Sequence, residues 1–83
     1  MTSRSVQITN ALGLHARAAA RFVHAAGTFV AQIRVACGPR VMDAKSIMGI
    51  ISLGIRKGTV ITLTCEGIDE NKAMDDLVEL LTE

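Results

Sequence analysis

Eighty-three residues, net charge +1 and 49% hydrophobic content, with no Trp or Tyr, fit one domain spanning residues 1–83 with a single two-layer core. Phe22 and Phe29 are the only aromatics and both read as buried, so base stacking has almost nothing to build on and nucleic acid is a poor candidate partner. The two histidines lie nine residues apart and neither Cys37 nor Cys65 has a partner at finger spacing, which leaves no metal-ligand cluster.

Val6 and Ile8 alternate with Ser5, Gln7 and Thr9, the pattern of a half-buried strand. Thr9 to Gly13 reads as a loop. A helix is predicted from Ala16 to Ala26, with Ala18, Ala19, Phe22, Val23 and Ala26 apolar at helical spacing and Gly27 as its stop. His15 therefore falls at the helix N-terminus. Backbone N–H groups and the positive end of the macrodipole point outward there, an arrangement suited to an anion. An imidazole nitrogen is a nucleophile as well as a base. Arg17 adds a planar fork of donors that suits phosphate oxygens. The local chemistry reads as a histidine that accepts and donates phosphate. The plainer alternative is a helix-start histidine with a solvated arginine nearby. His24, later on the helix, reads as solvated.

Ile33, Val35 and Cys37 alternate with polar or small residues in a second strand. Gly38-Pro39 turns the chain into a short return strand from Arg40 to Asp43. Ser46 is a good N-cap for a short helix that contains Ile47, Met48, Ile50 and Ile51 and ends at Gly54. That helix is apolar nearly all round. Some of Ile47, Met48 and Ile51 should stay exposed, either as a docking patch or as the rim of a core helix. After the Lys57-Gly58 turn, Ile61, Leu63 and Cys65 mark another strand. Asp69 is the expected N-cap of the last helix, whose stripe is Ala73, Met74, Leu77, Leu80 and Leu81, with Asp75, Asp76 and Glu79 facing water. Both cysteines fall on apolar strand positions and read as buried free thiols rather than a disulfide.

Residues 1–57 carry eight Lys/Arg and a single acid, whereas residues 58–83 carry seven acids and a single lysine. If these groups segregate in space, the His15 side is basic and attracts acidic proteins or phosphate; if they intermix, they cancel. The N-terminal residues lead straight into a strand, and no apolar run approaches the roughly 18 residues of a membrane span. A reduced, cytoplasmic protein without membrane insertion is expected, and so is a monomer. The order β-α-β-β-α-β-α predicts an α+β fold, an antiparallel sheet with helices on one face.

Two motifs carry a resemblance. Gly-Leu-His-Ala-Arg at 13–17 and Lys-Ser-Ile-Met-Gly-Ile-Ile-Ser-Leu-Gly at 45–54 resemble the two signatures of the HPr family, the histidine-containing phosphocarriers of the bacterial sugar phosphotransferase system. The likeness covers essentially the whole chain. It implies an open-faced β-sandwich of four antiparallel strands and three helices. It implies that His15 takes phosphate on Nδ1 from phosphorylated enzyme I and passes it to the A component of a sugar permease, with no cofactor. Arg17 and the backbone amides of Ala16, Arg17 and Ala18 would hold the phosphoryl group. Ser46 matches the serine that a dedicated HPr kinase phosphorylates, although capping alone would also explain it. Arg21, His24, Ile47, Met48 and Ile51 match the partner surface. Such a protein is a stoichiometric carrier rather than a turnover enzyme. One departure stands out: the family motif usually continues with proline, and here the residue is Ala18. A regulatory paralogue acting through protein binding is the alternative. A small-ligand-binding α+β domain is a further rival, but a chain this short leaves little volume for a pocket.

Overall fold

The computed structural model describes residues 1–9 and 15–82. Its elements run β1 (Thr2–Gln7), α1 (Ala16–Gly27), β2 (Gln32–Cys37), β3 (Arg40–Asp43), α2 (Ile47–Ser52), β4 (Val60–Glu66) and α3 (Glu70–Thr82). The four strands form one antiparallel sheet in the order β1-β4-β2-β3.

Register explains the two faces. Val6 stands opposite Ile61, Ile33 opposite Cys65 and Val35 opposite Leu63. All six are buried, so alternate positions along three strands put one apolar face under the helices. The intervening row holds Ser3, Ser5, Thr62, Thr64, Gln32 and Arg34, which suits a face open to water. From the helices, α1 contributes Ala19, Phe22 and Ala26, α2 contributes Ile50, and α3 contributes Ala73, Met74, Leu77 and Leu81. The buried alanines of α1 face a side on which the helix packs against α2 and α3. Four strands, three helices and one shared core give the expected α+β open-faced sandwich.

β1 begins earlier than its alternation suggests. Thr2, Ser3 and Arg4 find partners in Cys65, Thr64 and Leu63, because β4 is seven residues long and offers them. Arg4 is therefore on the helix side of an edge strand, where its stem lets the charge reach out toward Asp75 at 4.0 Å. Ile8 and Thr9, past the end of β1, are held differently. Ile8 N–H donates to the Thr59 carbonyl at 2.8 Å, and Thr9 N–H donates to the Leu81 carbonyl in the last turn of α3 at 3.3 Å. The Thr9 hydroxyl donates to the Thr82 carbonyl at 2.8 Å. The loop expected at 9–13 lies largely outside the described residues.

Four expectations need correction. Asp69 does occupy the position before α3, and its carbonyl accepts from Ala73 N–H at 3.0 Å. Its carboxylate, however, does not cap its own helix: it accepts from the N–H groups of Val30 and Ala31 at 2.8 and 2.9 Å. Cys65 is buried and free, but Cys37 is only half-buried, because β2 runs out of helix cover near its hairpin. Phe29 is likewise half-buried, standing after the end of α1. Asp76 is half-buried and paired with Lys72 at 3.2 Å, one helical turn away.

Candidate functional site

His15 is the N-cap residue of α1. Its backbone is extended (φ −71°, ψ 173°), its carbonyl accepts from Ala19 N–H at 2.7 Å, and its side chain makes no capping bond. The usual capping side chains turn inward to satisfy the first N–H groups of a helix. An imidazole that does not leaves its ring exposed and makes no bond to those groups. The N–H groups of Ala16, Arg17 and Ala18 precede the first intrahelical bond and have no partner among the described residues. Alanine at 18 supplies the third of these donors, which proline would lack. The first turn of α1 contains no acid, so nothing on the helix opposes an anion there.

Arg17 is exposed, and its guanidinium makes no hydrogen bond or ion pair among the described residues. Arg17, Arg21 and His24 recur at i, i+4 and i+7, so they share one stripe of α1. All three are exposed, whereas Ala19, Phe22 and Ala26 are buried on the opposite side. The helix thus separates a core face from a basic face. Gly13 and Leu14, the start of the first motif, lie outside the described residues.

Helix α2 packs against α1 and is held at both ends. The Ser46 hydroxyl oxygen accepts from Gly49 N–H at 3.1 Å, the N-cap expected for it. At the other end the Arg40 guanidinium donates to the Ser52 carbonyl at 2.6 Å and to the Ser52 hydroxyl at 3.2 Å. A cation on the last carbonyls complements the negative end of the helix. Between these clamps Ile50 is buried, while Ile47, Met48 and Ile51 are 36, 71 and 39% exposed. A six-residue helix can hide only one apolar side, and the remainder forms a patch next to the basic stripe. Sequence reading found Ser46 and the patch. It missed Arg40, because nothing in the hairpin sequence says which way an exposed arginine reaches.

The groups whose ionisation the fold shifts lie past the other end of α1, a helix about 18 Å long at about 1.5 Å per residue. Asp69 is held below the usual carboxylate range, chiefly by the Val30 N–H and then by that of Ala31. Glu70 is lowered by the Gly67 N–H and by the N-terminal ammonium at 3.1 Å. Burial pushes the Cys65 thiol up, aided by Glu70 and Asp69. Charges are also less segregated than their sequence suggests: the acidic α3 packs against α1 and β1, and its last turn is bonded to Thr9.

Among the described residues no cluster of His, Cys, Asp or Glu could hold a metal ion, and no helix is long and apolar enough to cross a membrane. The site is thus an exposed histidine at the start of α1, a basic stripe on the same helix and an apolar patch on the helix packed against it. The family described as PTS HPr component phosphorylation site matches residues 2–83. The phosphocarrier protein HPr of Pseudomonas putida is 48% identical over 82 residues, covering 98% of this chain and 91% of that one. The phosphocarrier protein HPr of Cupriavidus necator is 46% identical over 81 residues, with the same coverage. A crystal structure of a phosphocarrier protein HPr from Bacillus anthracis superimposes with a TM-score of 0.94 at 41% identity, covering 96% of this chain and 95% of that one. The chain belongs to the HPr family of phosphocarrier proteins of the phosphotransferase system.

Proposed function

We propose that His15 accepts a phosphoryl group from phosphorylated enzyme I and passes it to the A component of a sugar permease. The observation that carries this reading is the exposed, non-capping imidazole of His15 at the start of α1, whose first three N–H groups have no partner among the described residues. In the forward step a ring nitrogen, Nδ1 by family likeness, attacks phosphorus. The N–P bond forms as the bond to the donor's own group breaks, and the donor keeps that electron pair. The new phosphoryl oxygens meet the N–H groups of Ala16, Arg17 and Ala18 and the guanidinium of Arg17, which offset the added negative charge. The reverse geometry serves the second transfer, so the protein acts as a carrier consumed and regenerated stoichiometrically.

Arg21 and His24, with Ile47, Met48 and Ile51, are the partner surface in this reading: cations steer an acidic partner, and the apolar patch gives a brief contact that excludes water. Ser46 is the regulatory position. A phosphate there would add roughly two negative charges between the patch and the basic stripe, and acidic partners would dock less well.

The test is incubation with phosphoenolpyruvate and a matched enzyme I, followed by phosphorus NMR and acid treatment. An acid-labile phosphoryl group that is lost in His15→Ala supports the carrier reading. No labelling of this chain, by an enzyme I that labels another HPr, refutes it and leaves the regulatory paralogue as the better reading.

A further inference from the structure

The last four carbonyls of a helix have no partner within it, and α2, at six residues, has little internal hydrogen bonding to fall back on. Each of the four finds a donor. The Ser52 hydroxyl donates to the Gly49 carbonyl at 2.6 Å, Leu53 N–H to that of Ile50 at 3.2 Å, and Gly54 N–H to that of Ile51 at 3.1 Å. The last carbonyl, that of Ser52, accepts from the Arg40 guanidinium at 2.6 Å. The other terminal nitrogen of Arg40 donates to the Ser52 hydroxyl at 3.2 Å. Ser52, Leu53 and Gly54 belong to the helix or follow directly on it. Arg40 comes from β3, and among the described residues it is the donor that joins the end of α2 to the sheet.

Arg40 is set on a firm base. It opens β3 opposite Cys37 in the antiparallel ladder, directly after the turn that Gly38 makes at φ +60°. The helix lies close against this strand: a Cβ built on Gly49 would stand 3.5 Å from the Met42 Cβ. Ile50 holds the middle of α2 in the core and Ser46 caps its start, so the last turn is the part that rests on Arg40. Ile51 stands one residue before Ser52 and Met48 one turn before it. Both exposed apolar side chains therefore ride on the turn that Arg40 fastens.

We propose that Arg40 is a positioning residue for docking, which fastens the last turn of α2 to β3 and thereby presents Met48 and Ile51 ready-ordered to enzyme I. This rests on the carrier reading above and adds to it a residue outside the patch on which the fit depends. Arg40 acts through Ser52 and not by its own attraction for a partner. Both of its terminal nitrogens are engaged with that serine, and its charge lies on the negative end of the helix. Without the guanidinium the Ser52 carbonyl turns to water and the last turn frays. Docking must then restore the turn before the apolar contact can form, and that ordering weakens binding. The step at His15, on another helix, is left as it was.

The test compares the full chain with its Arg40→Gln variant at about 20 and about 300 mM salt. In the free chains, hydrogen exchange read by NMR should quicken in the variant at the N–H groups of Leu53 and Gly54 and stay unchanged at that of Ala19 in α1. Titration with unphosphorylated enzyme I should give a Kd about 2- to 5-fold higher for the variant at both salts, the range that a cation on a helix C-terminus spans. In transfer from phosphorylated enzyme I, KM for the chain should rise by the same factor with kcat held. Arg40→Lys, which keeps one donor for the Ser52 carbonyl, should recover part of the loss. Equal Kd values in wild type and Arg40→Gln overturn the proposal. So does a rise confined to low salt, which would make Arg40 a steering charge. Unchanged exchange at Leu53 and Gly54 overturns it as well, since the turn would then be held without Arg40. Binding of enzyme I by the wild type without labelling counts against the carrier reading alone, and no binding by the wild type overturns both.

Discussion

Replacing Gly67 with alanine tests how tightly the end of β4 is closed against the loop after α1. Gly67 sits at φ +155°, and a Cβ built on it would stand 2.6 Å from the Ala31 Cα, 3.0 Å from its Cβ and 3.3 Å from its nitrogen. The obstacle is backbone, so no side-chain rotation can relieve it. Either the 28–31 segment or the start of α3 must move. Movement there also strains the bond from Ala31 N–H to Asp69, two residues further along at 2.9 Å. Holding a non-glycine residue in this backbone region costs about 1–3 kcal/mol, and forcing extra volume into packed structure costs about 1–3 kcal/mol. A loss of about 3 kcal/mol is expected, which for a chain of this size lowers Tm by about 12–24 °C. Thermal and urea unfolding followed by far-UV circular dichroism measure it. Gly27→Ala is the control, since its Cβ would meet nothing within 4 Å and an alanine helps a helix end. A Gly67→Ala protein within 0.5 kcal/mol of wild type, on the scale where ordinary surface changes fall, would refute this account of the close approach.

Two further outcomes follow from polar contacts described above. Because the folded pKa of Asp69 is lowered, its contribution is complete above the unfolded value of about 3.9 and is lost as pH falls through the folded value. Asp69→Asn should therefore be less stable than wild type near neutrality. The difference should shrink on acidification toward pH 2, and a gap in Tm independent of pH would refute the role of the charge. Ser46→Ala removes the acceptor for Gly49 N–H and should cost about 1 kcal/mol, read as a Tm loss of about 4–8 °C. An unchanged Tm would mean that water satisfies that helix end equally well.

The strands and helices were legible because their apolar residues recur at periods of two and 3.6, and burial at Val6, Ile33, Val35, Ile61 and Leu63 follows that pattern. His15 was legible for a different reason: a helix start is a local event, marked by the switch from a loop to alanine-rich periodicity. Ser46 at the start of α2 is local in the same way. What remained hidden were contacts made across the chain by exposed polar side chains. Asp69 stands where an N-cap should, yet it bonds to Val30 and Ala31, 39 and 38 residues earlier. Arg40 reaches Ser52 and Lys45 reaches the Phe29 carbonyl at 2.8 Å. Such bonds depend on which loops the sheet order brings together, and no spacing in the sequence encodes that. Whether Cys37 was covered depended likewise on where the helices stop.

The two clamps on α2 have a bearing on how this surface can be switched. Ser46 and the Arg40–Ser52 pair are exposed groups, whereas the core beneath depends on Ile50 alone from this helix. Beyond the buried Ile50, the ends of the helix that carries Met48 and Ile51 are held by a handful of bonds at the protein's surface. On the proposed carrier function, a covalent mark on Ser46 would alter the face offered to partners while the scaffold and the His15 helix stay as they are. Such a molecule would carry two independent signals, one in its phosphoryl cargo and one in its readability.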